Sequence, residues 1–357
     1  HAQRHGVHSA WHVAAECGQS AEITVISQMS AAGYVDKVAT LENSAIITIN
    51  NDNSAGFYVR SGTATNNDRT SQPLNYGYGS ITADGKGSHG VLVTNEDGTT
   101  AKFTNNGLIE TKYEGTVALY GVNGAQLSNI NKNEKERHFL DDGTGVAVTA
   151  ANWLAQGNTF DTSANCGRST CYLNVYSKVV EVTDLAQNAL IKAGNGGTGI
   201  WLEQSRGIFT PAAPVSTITS ASIYAAVETG NSTADYTAIG IYSDGIAKAT
   251  FYKDSYYDPV NYPKEMASVK VGENGIALLH NYRDRIGITG ANKNFGGSSG
   301  IFNIKALKAD LGKNSVLGYS NSGTIATDVF SNVEFTSLGD SVTFAYVSNN
   351  GDININD

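Results

Sequence analysis

One short phrase recurs along the chain: a glycine, an apolar residue, any residue, and usually another apolar one. It reads Gly56-Phe-Tyr-Val59, Gly90-Val-Leu-Val93, Gly145-Val-Ala-Val148 and Gly199-Ile-Trp-Leu202. It returns as Gly240-Ile-Tyr-Ser243, Gly275-Ile-Ala-Leu278 and Gly300-Ile-Phe-Asn-Ile304, and a shifted copy, Gly115-Thr-Val-Ala-Leu119, fills the one gap. Successive glycines lie 25 to 54 residues apart, and the shortest spacing occurs twice. A fixed unit that takes up loops of varied length is the mark of a repeat architecture, in which each unit buries its apolar side only against its neighbours.

A second phrase interleaves with the first. Asn-Asn-Gly-Leu-Ile at 105–109, Asn-Ser-Gly-Thr-Ile at 321–325 and Asn-Asn-Gly-Asp-Ile at 349–353 each read as a tight turn entering a strand. Asn and Gly tolerate the backbone angles of such turns. Several short alternating strands per unit of about 25 residues predict an all-β, elongated parallel β-helix (a solenoid) with loop insertions. Corresponding strands would stack ~4.8 Å apart, and about a dozen coils would make a rod on the order of 60 Å long. The prolines agree with this. Pro73, Pro211, Pro214, Pro259 and Pro263 all fall in the longer intervals and outside the repeat phrases. A stacked strand needs the N–H that proline lacks.

Composition narrows the function classes. The chain has 357 residues, with 24 Lys+Arg against 33 Asp+Glu and a net charge of −9. That balance argues against nucleic-acid binding, which needs a basic footprint, and against docking on an anionic membrane surface. No apolar run approaches the ~18–20 residues of a spanning helix, so no membrane insertion is expected of this fragment. Residues 1–40 differ from the rest: they hold His1, His5, His8 and His12 at helical spacing, with Trp11 and Met29. They read as an N-terminal cap or tag-derived segment, with a strand across 20–27 and a turn at 30–33. Residues 41–357 read as the β-helix, cut at its C-terminus. The histidine stripe offers a metal site, but Gly6 weakens a helix there by ~1 kcal/mol, and no metal or cofactor is assigned. Cys166 and Cys171, four residues apart, suit a disulfide that stiffens a small loop. Two unpaired thiols are the alternative, and a lone CxxxxC is a poor zinc motif. The pairing state of Cys17 is open.

The glycine phrases, the Asn-x-Gly-x-Ile corners, the close cysteine pair and the missing start and finish together resemble an adhesin-type autotransporter passenger, the type V secreted class of Gram-negative bacteria. The resemblance covers about residues 41–357. It implies a right-handed parallel β-helix, export through the periplasm, and a secreted or cell-surface location with display at the outer membrane. It also implies a C-terminal translocating barrel, whose aromatic terminus Asp357 does not match.

The enzyme motifs of related architectures fit poorly. Gly339-Asp340-Ser341 resembles a serine nucleophile motif, but Val342 replaces the glycine that shapes the oxyanion hole. Ser88-His89-Gly90 precedes Asp141-Asp142-Gly143, the reverse of the order in polygalacturonases, and adjacent carboxylates point to opposite faces of a strand. The chain is therefore read as no enzyme. The expected function is that of an adhesin binding a host-cell receptor, matrix protein or glycan, or self-associating between bacteria. A released virulence effector that engages a host receptor is the alternative, and a β-helix polysaccharide-cleaving enzyme the third reading. The binding candidates are Tyr252, Tyr256, Tyr257 and Tyr262, which with Pro259 and Pro263 form a stiff, tyrosine-rich loop. Tyrosine offers a large contact area and a hydroxyl at small entropy cost.

Overall fold

The computed structural model describes residues 7–9, 14–17, 22–25, 27–37, 39–43, 45–67, 79–95, 100–130, 189–203, 219–244, 247–251, 267–281, 302–304, 306–321, 328–331, 333–348 and 353–356. All regular structure among them is β-strand, arranged as three long parallel sheets of 10, 10 and 9 strands. The chain visits sheets A, B and C in turn and then returns to A one rung further on. This is a parallel β-helix. Nine complete coils and two strands of a tenth are described, fewer than the dozen expected, so the ladder spans about 43 Å at ~4.8 Å per rung.

Sheet A holds Val7–Ser9, Ala31–Val35, Ala55–Val59, His89–Thr94, Val117–Val122, Thr198–Glu203, Ile239–Asp244, Ile276–Asn281, Val316–Asn321 and Thr343–Ser348. Its ladder passes directly from Val117–Val122 to Thr198–Glu203. The phrase at Gly145 therefore adds no rung to it, and lies outside the described residues. The phrase at Gly300 leads into Phe302–Ile304, a strand of sheet B rather than A. The ladders begin within residues 1–40: Val7–Ser9 pairs with Gly33–Val35, and Ala14–Cys17 with Thr40–Asn43. The turn read at 30–33 falls at 27–29, and Ala31–Val35 is strand.

Parallel pairing in register puts like positions above one another. In sheet C this makes a column of Ile47, Ile81, Ile109 and Ile191, continued by Val227 and Val269, all fully buried or nearly so. Each such side chain contributes about 1.5–3 kcal/mol by leaving water. Sheets A and B add Phe57, Leu119, Ile200, Ile241, Phe103, Phe251 and Phe302 to the same continuous core.

Four of the repeated glycines are not corners. Gly56, Gly90, Gly199 and Gly240 lie inside sheet A strands, in a column with Ala32, Ala118 and Ala277, whereas Gly275 precedes its strand. A Cβ on Gly90 would run into the Ile109 side chain and come within 2.5 Å of the Ala118 carbonyl oxygen. Only a small residue fits where sheet A passes this close to the isoleucine column. The phrase at Gly115 looks shifted because Ala118 takes the column position. Gly115 instead serves the turn from sheet C to sheet A, at φ 69°, where Asn274, Asn314 and Ser341 stand in later coils at 57°, 55° and 59°. Glycine and asparagine accept that left-handed conformation at least cost.

The corner read at 105–109 is as expected: Asn105 ends a sheet B strand and Leu108 opens a sheet C strand. Asn105 also belongs to a buried ladder. The amide of Asn43 donates to Asn66 (2.9 Å), Asn66 to Asn105 (2.9 Å), and Asn105 to Asn129 (3.0 Å). Asn105 further ties down its own turn, donating to the Gly107 carbonyl at 2.9 Å and accepting from the Gly107 N–H at 3.3 Å. The next rungs of this column are Ile223, Phe251 and Ile304.

Replacing Asn105 by alanine should orphan groups on Asn129 and Gly107, at about 1–3 kcal/mol each. We expect chemical denaturation of N105A to show a loss of about 2–4 kcal/mol. Alanine at the adjacent outward Thr104 should change stability by no more than about 0.5 kcal/mol. Equal losses would mean that the ladder is not a special support.

Candidate ligand-binding face

The tyrosine loop candidates, Tyr252, Tyr256, Tyr257 and Tyr262, lie outside the described residues, as do Cys166 and Cys171. Their place in the topology is nonetheless fixed at both ends. Residues 252–266 leave sheet B after Phe251 and rejoin at Ser268–Val271 of sheet C; residues 131–188 leave and return at the same corner of an earlier coil. Cys17 occupies the rung before Asn43. Ser341 sits in the stacked turn, one rung beyond Asn314 and two beyond Asn274. His89 and Gly90 are strand residues of sheet A, and Asp141 and Asp142 lie outside the described residues. Among the described residues no cluster of three or more His, Cys, Asp or Glu could hold a metal ion.

Register also orders the outer faces, and the three differ. Sheet C carries alternating charge, Glu110, Lys192, Glu228, Lys270 and Asp310 on successive rungs. Its Lys192–Glu110 and Lys270–Asp310 contacts are 2.9 and 3.3 Å. The Glu110 carboxylate raises the Lys192 pKa above the usual lysine value. Such exposed pairs are worth little singly. Sheet B presents small hydroxyls: Thr65, Thr104, Ser128, Ser222 and Thr250.

Sheet A presents rings. Tyr34, Tyr58, Leu92, Tyr120, Trp201, Tyr242, Leu279, Tyr319 and Tyr346 form one outward column along nine rungs. Ring centroids are 5.4 Å apart for Tyr34–Tyr58, 5.8 Å for Tyr120–Trp201, 4.3 Å for Trp201–Tyr242 and 4.9 Å for Tyr319–Tyr346. Offset or tilted pairs at these distances are attractive beyond their buried area. Most of the rings are half-buried, Tyr242 is buried, and Tyr346 is exposed.

Two residues after the ring position runs a second column, polar except at Val122. Its later rungs are Glu203, Asp244, Asn281, Asn321 and Ser348. This column holds the rings by their hydroxyls. Tyr120 donates to Glu203 Oε2 at 2.5 Å, and Asn281 donates to the Tyr242 hydroxyl at 2.9 Å. The Tyr319 hydroxyl meets Ser348 Oγ at 3.2 Å. At the other end Tyr34 donates to Asp36, which also binds Arg60 at 3.3 Å. A tyrosine tied to the neighbouring column lies across the sheet instead of standing out from it. Burial, and then the adjacent Glu203 carboxylate, hold the Tyr120 hydroxyl well above the usual tyrosine pKa, so it stays a donor. Beside Tyr120 lies His89, at 5.4 Å between ring centroids. Burial lowers its pKa from 6.5, against a hydrogen bond to the Val117 backbone. His89 Nδ1 and Trp201 Nε1 are both buried without a hydrogen-bond partner.

The face can thus offer flat apolar area beside a row of acceptors, a layout suited to recognition without a deep pocket. Sequence reading missed it, although the signal was present. The unspecified third residue of the glycine phrase is Tyr58, Leu92, Trp201 and Tyr242 in four of its copies. No family model, curated protein or solved structure matches the chain.

A histidine whose folded pKa is lowered takes up its proton more readily when unfolded. Stability therefore rises with pH between the folded value and 6.5, and is lost as pH falls through that window. Thermal melts at pH 7.5 and 5.5 should show wild type losing more than H89Q does. Equal losses would remove His89 as the source.

Proposed function

We propose that this chain is the passenger part of an adhesin-type autotransporter, a secreted or surface-displayed rod that acts by binding and not by catalysis. The observation that carries this reading is the sheet A stripe: a column of seven rings and two leucines beside a largely polar edge, kept in line over nine rungs by the ladder itself. Supporting it, the excursions leave the rod at only two of its three corners, A to B and B to C, while the described C-to-A turns are short. Long loops beside a regular face suit attachment to a surface through many moderate contacts. The partner is a host-cell receptor, matrix protein or glycan, or a second bacterium. The acidic balance of the chain disfavours nucleic acid.

Two sets of residues are assigned to contact: the stripe, and the loop tyrosines Tyr252, Tyr256, Tyr257 and Tyr262. Beads coated with the purified chain should adhere to cultured host cells, to matrix-coated surfaces or to one another. Serine at all four loop tyrosines, or at Tyr58, Tyr120 and Trp201 together, should weaken adhesion about tenfold, the effect of 1.4 kcal/mol, with circular dichroism unchanged. Beads that adhere to none of these surfaces would overturn the proposal.

A further inference from the structure

We infer that the 230–238 turn is a clasp that couples coils two apart and keeps the insertion-bearing stretch of the rod from opening coil by coil. This concerns the rod itself and holds whatever the rod binds. Nine residues separate Thr229 of sheet C from Ile239 of sheet A, where the other described turns at this corner have four or five. The extra residues lie along the corner instead of leaving it. Forward, the Ser232 N–H donates to the Glu273 carbonyl at 2.9 Å and its hydroxyl to the Asn274 carbonyl at 2.8 Å, while the Glu273 N–H donates to Asn231 Oδ1 at 2.8 Å. Backward, the Gly196 N–H donates to the Asn231 carbonyl at 2.7 Å, and the Asn231 N–H to Asn195 Oδ1 at 3.0 Å. One turn further back, the Thr233 hydroxyl donates to the Glu114 carboxylate.

Tyr236 makes the same reach. A Cβ on Gly115 would come within 2.7 Å of the Tyr236 ring, and one on Gly196 within 2.7 Å of the Tyr236 Cβ. Both glycines hold the left-handed place of their turns, which other coils fill with Asn53, Asn274, Asn314 or Ser341. Glycine at these two leaves room for the tyrosine, which is 48% exposed and so lies on the corner, outside the core. A solenoid unit ordinarily touches only its neighbours, and its stability is a sum of nearest-neighbour terms. The contacts from Thr233 and Tyr236 to Glu114 and Gly115 skip the 194–197 turn and add a coupling between second neighbours. The four turns concerned, 112–116, 194–197, 230–238 and 272–275, bound three successive coils, into which 131–188, 204–218 and 252–266 are inserted, one in each. A coil that opens there must close its inserted loop again to restack, at a cost in entropy. The clasp holds these coils from the C-to-A corner, away from the insertions.

Amide hydrogen exchange of the full purified chain, followed by mass spectrometry, reads local opening directly. Y236A should speed exchange about tenfold in Val117–Val122 and Thr198–Glu203, and leave Ala55–Val59, which the clasp does not reach, at the wild-type rate. E114A alters only an exposed side chain, so it leaves folding intact, and should give a smaller acceleration, about threefold, in the same strands. Deleting 232–236 leaves four residues, the length of the 272–275 turn, and should match Y236A with an unchanged circular dichroism spectrum. K313A, at an exposed site in the turn beyond the clasp, should change nothing. Acceleration confined to the clasped strands supports the inference. Acceleration equal at Ala55–Val59 would mean an ordinary contribution to global stability, and wild-type exchange in E114A and in the deletion would mean that the turn couples nothing. Either result would overturn it.

Discussion

Stacking in register governs this molecule. Because each strand pairs with the strand one coil before and one coil after, every side chain is judged against the two at the same position above and below it. A choice made once is imposed on the column. Isoleucine stands over isoleucine in the buried column of sheet C. Asparagine over asparagine satisfies donors and acceptors that would each be costly if buried alone. Acid over base repeats the same logic on the wet face of sheet C. The aromatic stripe of sheet A follows from it too: once rings occupy the outward position, they must meet edge to face or tilted, since the rungs are too close to leave them apart.

The columns are not uniform from end to end. The asparagine ladder gives way to Ile223, Phe251 and Ile304, so the same corner is closed by amide hydrogen bonds in one half and by apolar packing in the other. The small-residue column of sheet A ends similarly, as Ala277 is followed by Leu317. Fully buried Ser243, His280 and Ser320 replace the valines that occupy the same inward column at Val35, Val59 and Val93. Each change is tolerated where the neighbouring rung changes in step.

The solenoid was legible in the sequence because its period is written in backbone-limited residues. Gly56, Gly90, Gly199 and Gly240 stand where a Cβ would strike the next rung, and Asn105 stands at a turn it ties down itself. Steric exclusion acts at every such position and leaves a trace at each. Strand frame was harder. Gly300 and Gly115 carry the same letter as the column glycines but do different work, one before a sheet B strand and one in a left-handed turn. Only pairing distinguishes them. The aromatic face was hidden for a related reason: the outward position has no single required residue, so Tyr, Trp and Leu share it. Its members come together through register, and the sequence separates them by up to 81 residues, from Tyr120 to Trp201.

One feature of the topology bears on how such a molecule changes over time. The 131–188 segment enters and leaves between two strands whose neighbours, Asn105 with Asn129 and Thr111 with Ala193, remain paired as if nothing had been inserted. Closing a longer loop costs only about 0.6 kcal/mol per doubling of its length. The chassis and its attachments are therefore nearly independent variables. Selection can lengthen, exchange or discard what hangs from the two permissive edges while the frame keeps its geometry, and so alter what the molecule engages without having to reinvent how it folds.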